Sequence, residues 1–76
     1  MKEFVELISK KLVQHPEDVQ VRVIEGEEEH VYELRVNPED MGRVIGKNGR
    51  VAKAVRTLIS AAAAKQNVNA TLEIVE

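Results

Sequence analysis

The sequence predicts an α+β domain in which three helices cover a three-stranded sheet, in the order α-β-β-α-α-β. Two observations lead there. Apolar residues recur at helical spacing in residues 2–14 and 50–66, whereas residues 19–25, 32–36 and 70–75 alternate apolar and polar with the period of a strand. The joins between these runs hold Pro16, Gly26, Asn37-Pro38, Gly46, Gly49 and Asn67, residues that interrupt regular structure. With 76 residues the chain has room for one hydrophobic core, and so for one domain over residues 1–76. A domain of this size buries only about 60% of its unfolded surface, so nearly every apolar side chain is expected in the core.

In residues 2–14, Phe4, Val5, Ile8 and Leu12 form a helical stripe that Leu7 and Val13 widen, and Pro16 is expected to end it. Val19, Val21 and Val23 then alternate with Gln20 and Arg22 as a half-buried strand. Gly26 and Glu27 to Glu29 make a polar turn into a second strand that buries Tyr32, Leu34 and Val36, so the pair reads as an antiparallel hairpin. Asn37 is placed as an N-cap and Pro38 as the first helical residue, with Glu39 and Asp40 facing the positive end of a short helix. That helix carries Met41, Val44 and Ile45 and stops at Gly46-Lys47-Asn48-Gly49. In the long helix that follows, Val51, Ala54, Val55, Leu58, Ile59 and Ala62 mark the expected buried face. Asn67 is a left-handed cap, and Ala70, Leu72 and Ile74 point inward from a last strand.

Composition removes several functions. There is no cysteine, which excludes disulfides, thiolate nucleophiles and cysteine metal sites, and two histidines, His15 and His30, are a thin basis for imidazole ligation. No metal, cofactor, small-molecule substrate or catalytic residue is expected. The longest apolar run, Ala61 to Ala64, is far below the roughly 20 residues of a membrane span. Glu3 falls where a signal peptide wants positive charge, so the expected setting is the cytosol, away from membranes.

The net charge of −2 conceals a division. Between Met41 and Leu72 lie Arg43, Lys47, Arg50, Lys53, Arg56 and Lys65 with no acid at all. All thirteen acids stand outside that stretch, against five bases. One face is thereby suited to an anionic partner while the remainder repels it.

Within the basic stretch, the two glycines at 46 and 49 let the backbone turn sharply and remove the Cβ atoms that would keep a ligand away. The long helix starts just after them, and its first N–H groups lack intrahelical acceptors at the positive end of the dipole. Lys47 and Arg50 add full charges beside those donors. The run Ile45-Gly46-Lys47-Asn48-Gly49 between two helices resembles the KH domain, and the additional α-β at the N-terminus is similar to its prokaryotic type II form. With Asn37 to Gly49 and Ala52 to Ile59 included, the whole chain resembles the KhpA (YlqC) family of bacterial RNA-binding proteins.

That resemblance implies binding of single-stranded RNA, with the loop clamping the backbone of about four nucleotides while bases rest on an apolar groove. Gly46, Lys47, Asn48 and Gly49 would hold sugar-phosphate, with Lys47 and Arg50 as counter-charges. Val44 and Ile45 would border the groove, and Arg43 and Lys53 would extend the basic path. It also implies self-association, a KhpB-like (Jag-like) partner, RNA chaperone activity and effects on cell shape and envelope growth. An RRM is excluded by the lack of stacking aromatics, since only Phe4 and Tyr32 are present. A nucleotide-binding P-loop needs four residues between its glycines and a Ser or Thr after the Lys, and Gly42 to Asn48 has neither. The competing reading is a protein-interaction module, for which the Ala61 to Ala64 run offers close helix approach, although alanine also serves helix propensity alone.

Overall fold

The computed structural model describes residues 1–75. Helix α1 (Lys2–Leu12) leads through a 3₁₀ turn (Pro16–Asp18) into strands β1 (Gln20–Glu25) and β2 (Glu29–Arg35). A second 3₁₀ turn (Pro38–Asp40) opens the short helix α2 (Met41–Ile45), and a third (Lys47–Gly49) precedes the long helix α3 (Arg50–Ala64) and strand β3 (Asn69–Val75).

The sheet order is β1-β2-β3. The hairpin pairs β1 and β2 antiparallel, with Val21 opposite Leu34 and Val23 opposite Tyr32. Strand β3 joins β2 in parallel, Tyr32 opposite Leu72 and Leu34 opposite Ile74. A parallel neighbour needs a crossover, and α2 with α3 supplies it. Val23-Tyr32-Leu72 and Val21-Leu34-Ile74 thus form two rungs facing the helices, where Val5 of α1, Val44 of α2 and Val55 and Ile59 of α3 close the core. Complete burial of Ile59 and Val5 is worth about 1.5–3 kcal/mol each.

Several expectations change. Helix α1 ends at Leu12, where the expected stripe ran to residue 14, and Val13 is already extended (φ −103°, ψ 162°). The stop comes before Pro16 because the N–H groups of Gln14 and His15 are taken by a buried carboxylate described below. On α1 the buried positions are Val5 and Ser9, the latter donating its hydroxyl to the Val5 carbonyl at 2.7 Å, while Phe4, Leu7 and Leu12 face solvent. On α3 the buried face is Ala52, Val55, Ile59 and Ala63, so Ala54 and Leu58 are turned outward. Apolar residues surround most of this helix, and periodicity locates an apolar arc without its centre. Burial of nearly all apolar side chains also fails, since Met1, Phe4, Leu7, Leu12, Ile24, Ile45 and Leu58 are exposed.

Candidate nucleic-acid interface

Helix α2 begins in a closed joint. The Asn37 side chain accepts from the Glu39 N–H at 2.9 Å, as an N-cap should, and donates to Asp18 at 2.9 Å. Asp40, expected as a partner of the helix dipole, is fully buried. One of its oxygens accepts from the N–H of Gln14 and the other from that of His15, each at 3.0 Å, and Arg43 approaches at 3.3 Å. Burial pushes the Asp40 pKa upward, but the two backbone donors and the charges of His15 and Arg43 outweigh it, so the carboxyl stays below its usual range. Outside this joint, His15 lies 3.2 Å from Glu39 and 3.6 Å from Glu17, and its hydrogen bond to Glu39 raises its pKa against a smaller opposing effect of burial.

The start of α3 is built in the opposite way. Gly46 adopts φ 77°, ψ 171°, a conformation essentially reserved for glycine. A Cβ there would strike the Val51 side chain and lie 2.9 Å from the Val51 backbone nitrogen. Asn48 (φ 59°) and Gly49 (φ 74°) are both left-handed, and the Gly49 N–H closes the turn onto the Gly46 carbonyl at 3.1 Å. The space above Gly49 is open, with no heavy atom within 4 Å of a would-be Cβ. No side chain caps the helix. The Arg50 N–H turns back onto the Lys47 carbonyl, and the exposed side chains of Lys47 and Arg50 stand beside this helix start. Neither cation, nor Lys53, has an ion-pair partner among the described residues.

From this loop one flank of α3 leads along the free edge of β3. Gly49, Lys53, Arg56, Ser60 and Ala64 follow one another at helical spacing. The Arg56 Nε–H donates to the Leu72 carbonyl and the Ser60 hydroxyl to the Ala70 carbonyl, each at 3.2 Å. Both carbonyls belong to β3, the edge strand that β2 pairs on one side only. The path ends in a hollow of about 380 Å3 lined by Ser60, Ala64, Asn67, Val68, Asn69 and Ala70.

The fold brings Gly46, Lys47, Asn48, Gly49, Arg50 and Lys53 together on this flank, as the sequence predicts for neighbours in one loop and helix. Ile45 is 36% exposed beside them. Val44 is only 2% exposed and packs in the core, so it supports the loop from beneath and offers no surface to a base. The Arg43 guanidinium turns back to Asp40 and to the Glu39 carbonyl at 3.2 Å, away from an open path. Arg56 and Ser60 escaped the sequence reading as site residues. The i, i+4, i+7, i+11 spacing of Gly49, Lys53, Arg56 and Ser60 was the available signal, but only the tertiary placement of β3 shows what that flank faces. His15, Glu17 and Asp18 bring ligand atoms within 4.8 Å of one another, yet His15 and Asp18 are already held by Glu39 and Asn37.

Comparisons with known proteins agree with this geometry. A family profile described as "KhpA/KhpB, KH domain" matches residues 2–74. The chain is 57% identical over 75 residues to "RNA-binding protein KhpA" of Clostridium perfringens, covering 99% of this chain and all of the relative. It is 53% identical to the protein of that name in Clostridium acetobutylicum, with the same coverage, and 50% identical to that of Listeria monocytogenes over the full length of both. No solved structure gives a significant match. Profile, full-length identity and the α-β-β-α-α-β order of the type II fold coincide, and the chain belongs to the KhpA/KhpB family of KH domains.

Proposed function

We propose that this chain binds single-stranded RNA without catalysis, through sugar-phosphate contacts at Gly46, Lys47, Asn48 and Gly49 and at the start of α3. The observation that carries the reading is the uncapped, glycine-lined helix start with unpaired cations beside it. Lys47 and Arg50 serve as phosphate counter-charges, Lys53 extends the path, and Ile45 borders the bases. Relatives named RNA-binding protein support the choice of ligand. Three or four phosphate contacts give a log–log salt slope of about −2 to −3, because each contributes roughly −0.7 on a single strand. Titration of a labelled single-stranded RNA at several salt concentrations measures it, and a flat response contradicts the proposal.

The resemblance extends the proposal to an RNA chaperone or post-transcriptional regulator of the cytoplasm that acts with a KhpB-like partner and influences cell shape and envelope growth. Acceleration of the annealing of complementary RNAs, lost when Lys47 and Asn48 are both made Asp, is the expected result for the chaperone role. Unassisted annealing at the same rate contradicts it.

A second reading, association with another KH-containing chain, is favoured by one surface. Phe4 (41% exposed) of α1 and Leu58 (49%) of α3 line one groove, and Leu7 (56%) is exposed elsewhere on α1. A groove of about 420 Å3 runs between Met1, Phe4, Leu58, Ala61, Ala62 and Lys65. An exposed apolar groove of this kind suits a self-complementary contact between two copies, with Glu3, Glu6 and Lys10 around the nearby Leu7. Sedimentation equilibrium is expected to show a dimer that Leu58→Glu dissociates without unfolding. A wild type that stays monomeric at high concentration, alone and with a KhpB-like partner, contradicts this reading.

A further inference from the structure

We propose that Arg56 is a specificity-determining residue that selects bases presenting two adjacent hydrogen-bond acceptors. The inference rests on the RNA-binding reading and deepens it. Arg56 lies on the flank of α3 that runs from the loop along the β3 edge. Its Nε–H is spent on the Leu72 carbonyl at 3.2 Å, which fixes the plane of the guanidinium. The two Nη groups have no partner among the described residues, and the side chain is exposed, in a stretch without acids. A planar fork held by its third nitrogen is pre-organised for a pair of acceptors, as a lysine ammonium is not.

The surrounding edge is partly occupied by side-chain donors of α3. The strand carbonyls nearest the fork, those of Leu72 and Ala70, already accept from Arg56 and Ser60. Leu72 itself is almost wholly shielded, so the strand backbone is not what a base meets there. A base amino group at this position meets carbonyls that already accept one bond each, whereas base acceptors find two Nη groups with no partner among the described residues. Cytosine places N3 and O2 side by side, and guanine does so with O6 and N7. Uracil alternates acceptor, donor, acceptor, and both open edges of adenine join one acceptor to an amino group. Cytosine or guanine is selected at the nucleotide that lies over Arg56.

The test compares oligocytidylate and oligouridylate hexamers, two weakly stacked pyrimidine strands of equal charge that differ at the base edge. Wild type is expected to bind the cytidine strand about tenfold more tightly, the scale of one bidentate contact at the lower end of its range. Arg56→Lys keeps the charge and removes the fork, so the ratio is expected to fall toward one while the salt slope on oligouridylate stays the same. Equal binding of the two strands by wild type, or an unchanged ratio in the lysine variant, overturns the inference and leaves RNA binding intact. Failure of the wild type to bind either strand overturns the RNA-binding reading and this inference together. If Arg56→Lys loses its circular dichroism spectrum, the wild-type ratio decides the matter.

Discussion

The two helix starts of the crossover have the same task and opposite construction. At α2 the polar groups are used up inside the protein: Asn37 caps the 3₁₀ turn that opens the helix, Asp40 accepts from two backbone donors of the α1 exit, and Arg43 closes over it. At α3 the 3₁₀ turn that opens the helix has no capping side chain, two left-handed residues hold it, and the cations alongside have no ion-pair partner among the described residues. A capped start is complete as folded. An uncapped one beside free cations retains its attraction for an anion, and this contrast is what supports the proposed RNA site.

The strongest way to break the contrast is to substitute its glycines in turn. Gly46→Ala combines a backbone region reserved for glycine with a clash against Val51, and should cost roughly 3 kcal/mol or more of stability. Gly49 has a common left-handed conformation and open space above it, so Gly49→Asn is expected to cost about 1 kcal/mol or less. Urea denaturation checks both. Equal losses would mean that the two glycines share one role.

The closed joint predicts opposite pH limbs. Asp40 has a folded pKa below its ordinary 3.8, so its contribution is present above that value and is lost as pH falls through the lowered one. His15 has a folded pKa above 6.5, so its contribution is present below 6.5 and is lost as pH rises through the higher value. Denaturation midpoints measured against pH should show the acid limb flattened in Asp40→Asn. Glu39→Gln, which removes the main cause of the His15 shift, should flatten the limb just above 6.5 and leave the acid limb in place. The smallest effect is expected at Gly42, inside α2 with no atom within 4 Å of a would-be Cβ and an ordinary backbone. There Gly42→Ala should stabilise by about 0.5–1 kcal/mol in the same assay, since nothing in the fold needs that glycine.

Much of this was legible because it is local. The Asn37 cap, the Gly46 turn and the alternation of Val21, Val23, Tyr32 and Leu34 depend on residues close in the chain, and each lies where the sequence places it. The charge division between Met41 and Leu72 likewise marks the loop and α3 without a structure. What sequence spacing missed depends on which surface a helix meets. Leu58 and Ala63 both suit an apolar stripe, and only packing against the sheet chose Ala63. Asp40 reads as a dipole partner until the α1 exit, some 25 residues earlier in the chain, is seen to donate to it. Arg56 and Ser60 acquire their meaning from a strand that returns parallel to β2 beside them.

The most direct measurement is fluorescence anisotropy of a labelled single-stranded RNA with wild type and with the Lys47→Asp, Asn48→Asp double variant, both shown folded by circular dichroism. Asp tolerates the left-handed turn at position 48, and both side chains are exposed, so the core is not disturbed. If the open helix start is the clamp, two carboxylates beside it should abolish binding at moderate salt while the fold persists. Equal affinity of the two folded proteins would contradict the account and place the RNA, or the function, on another surface.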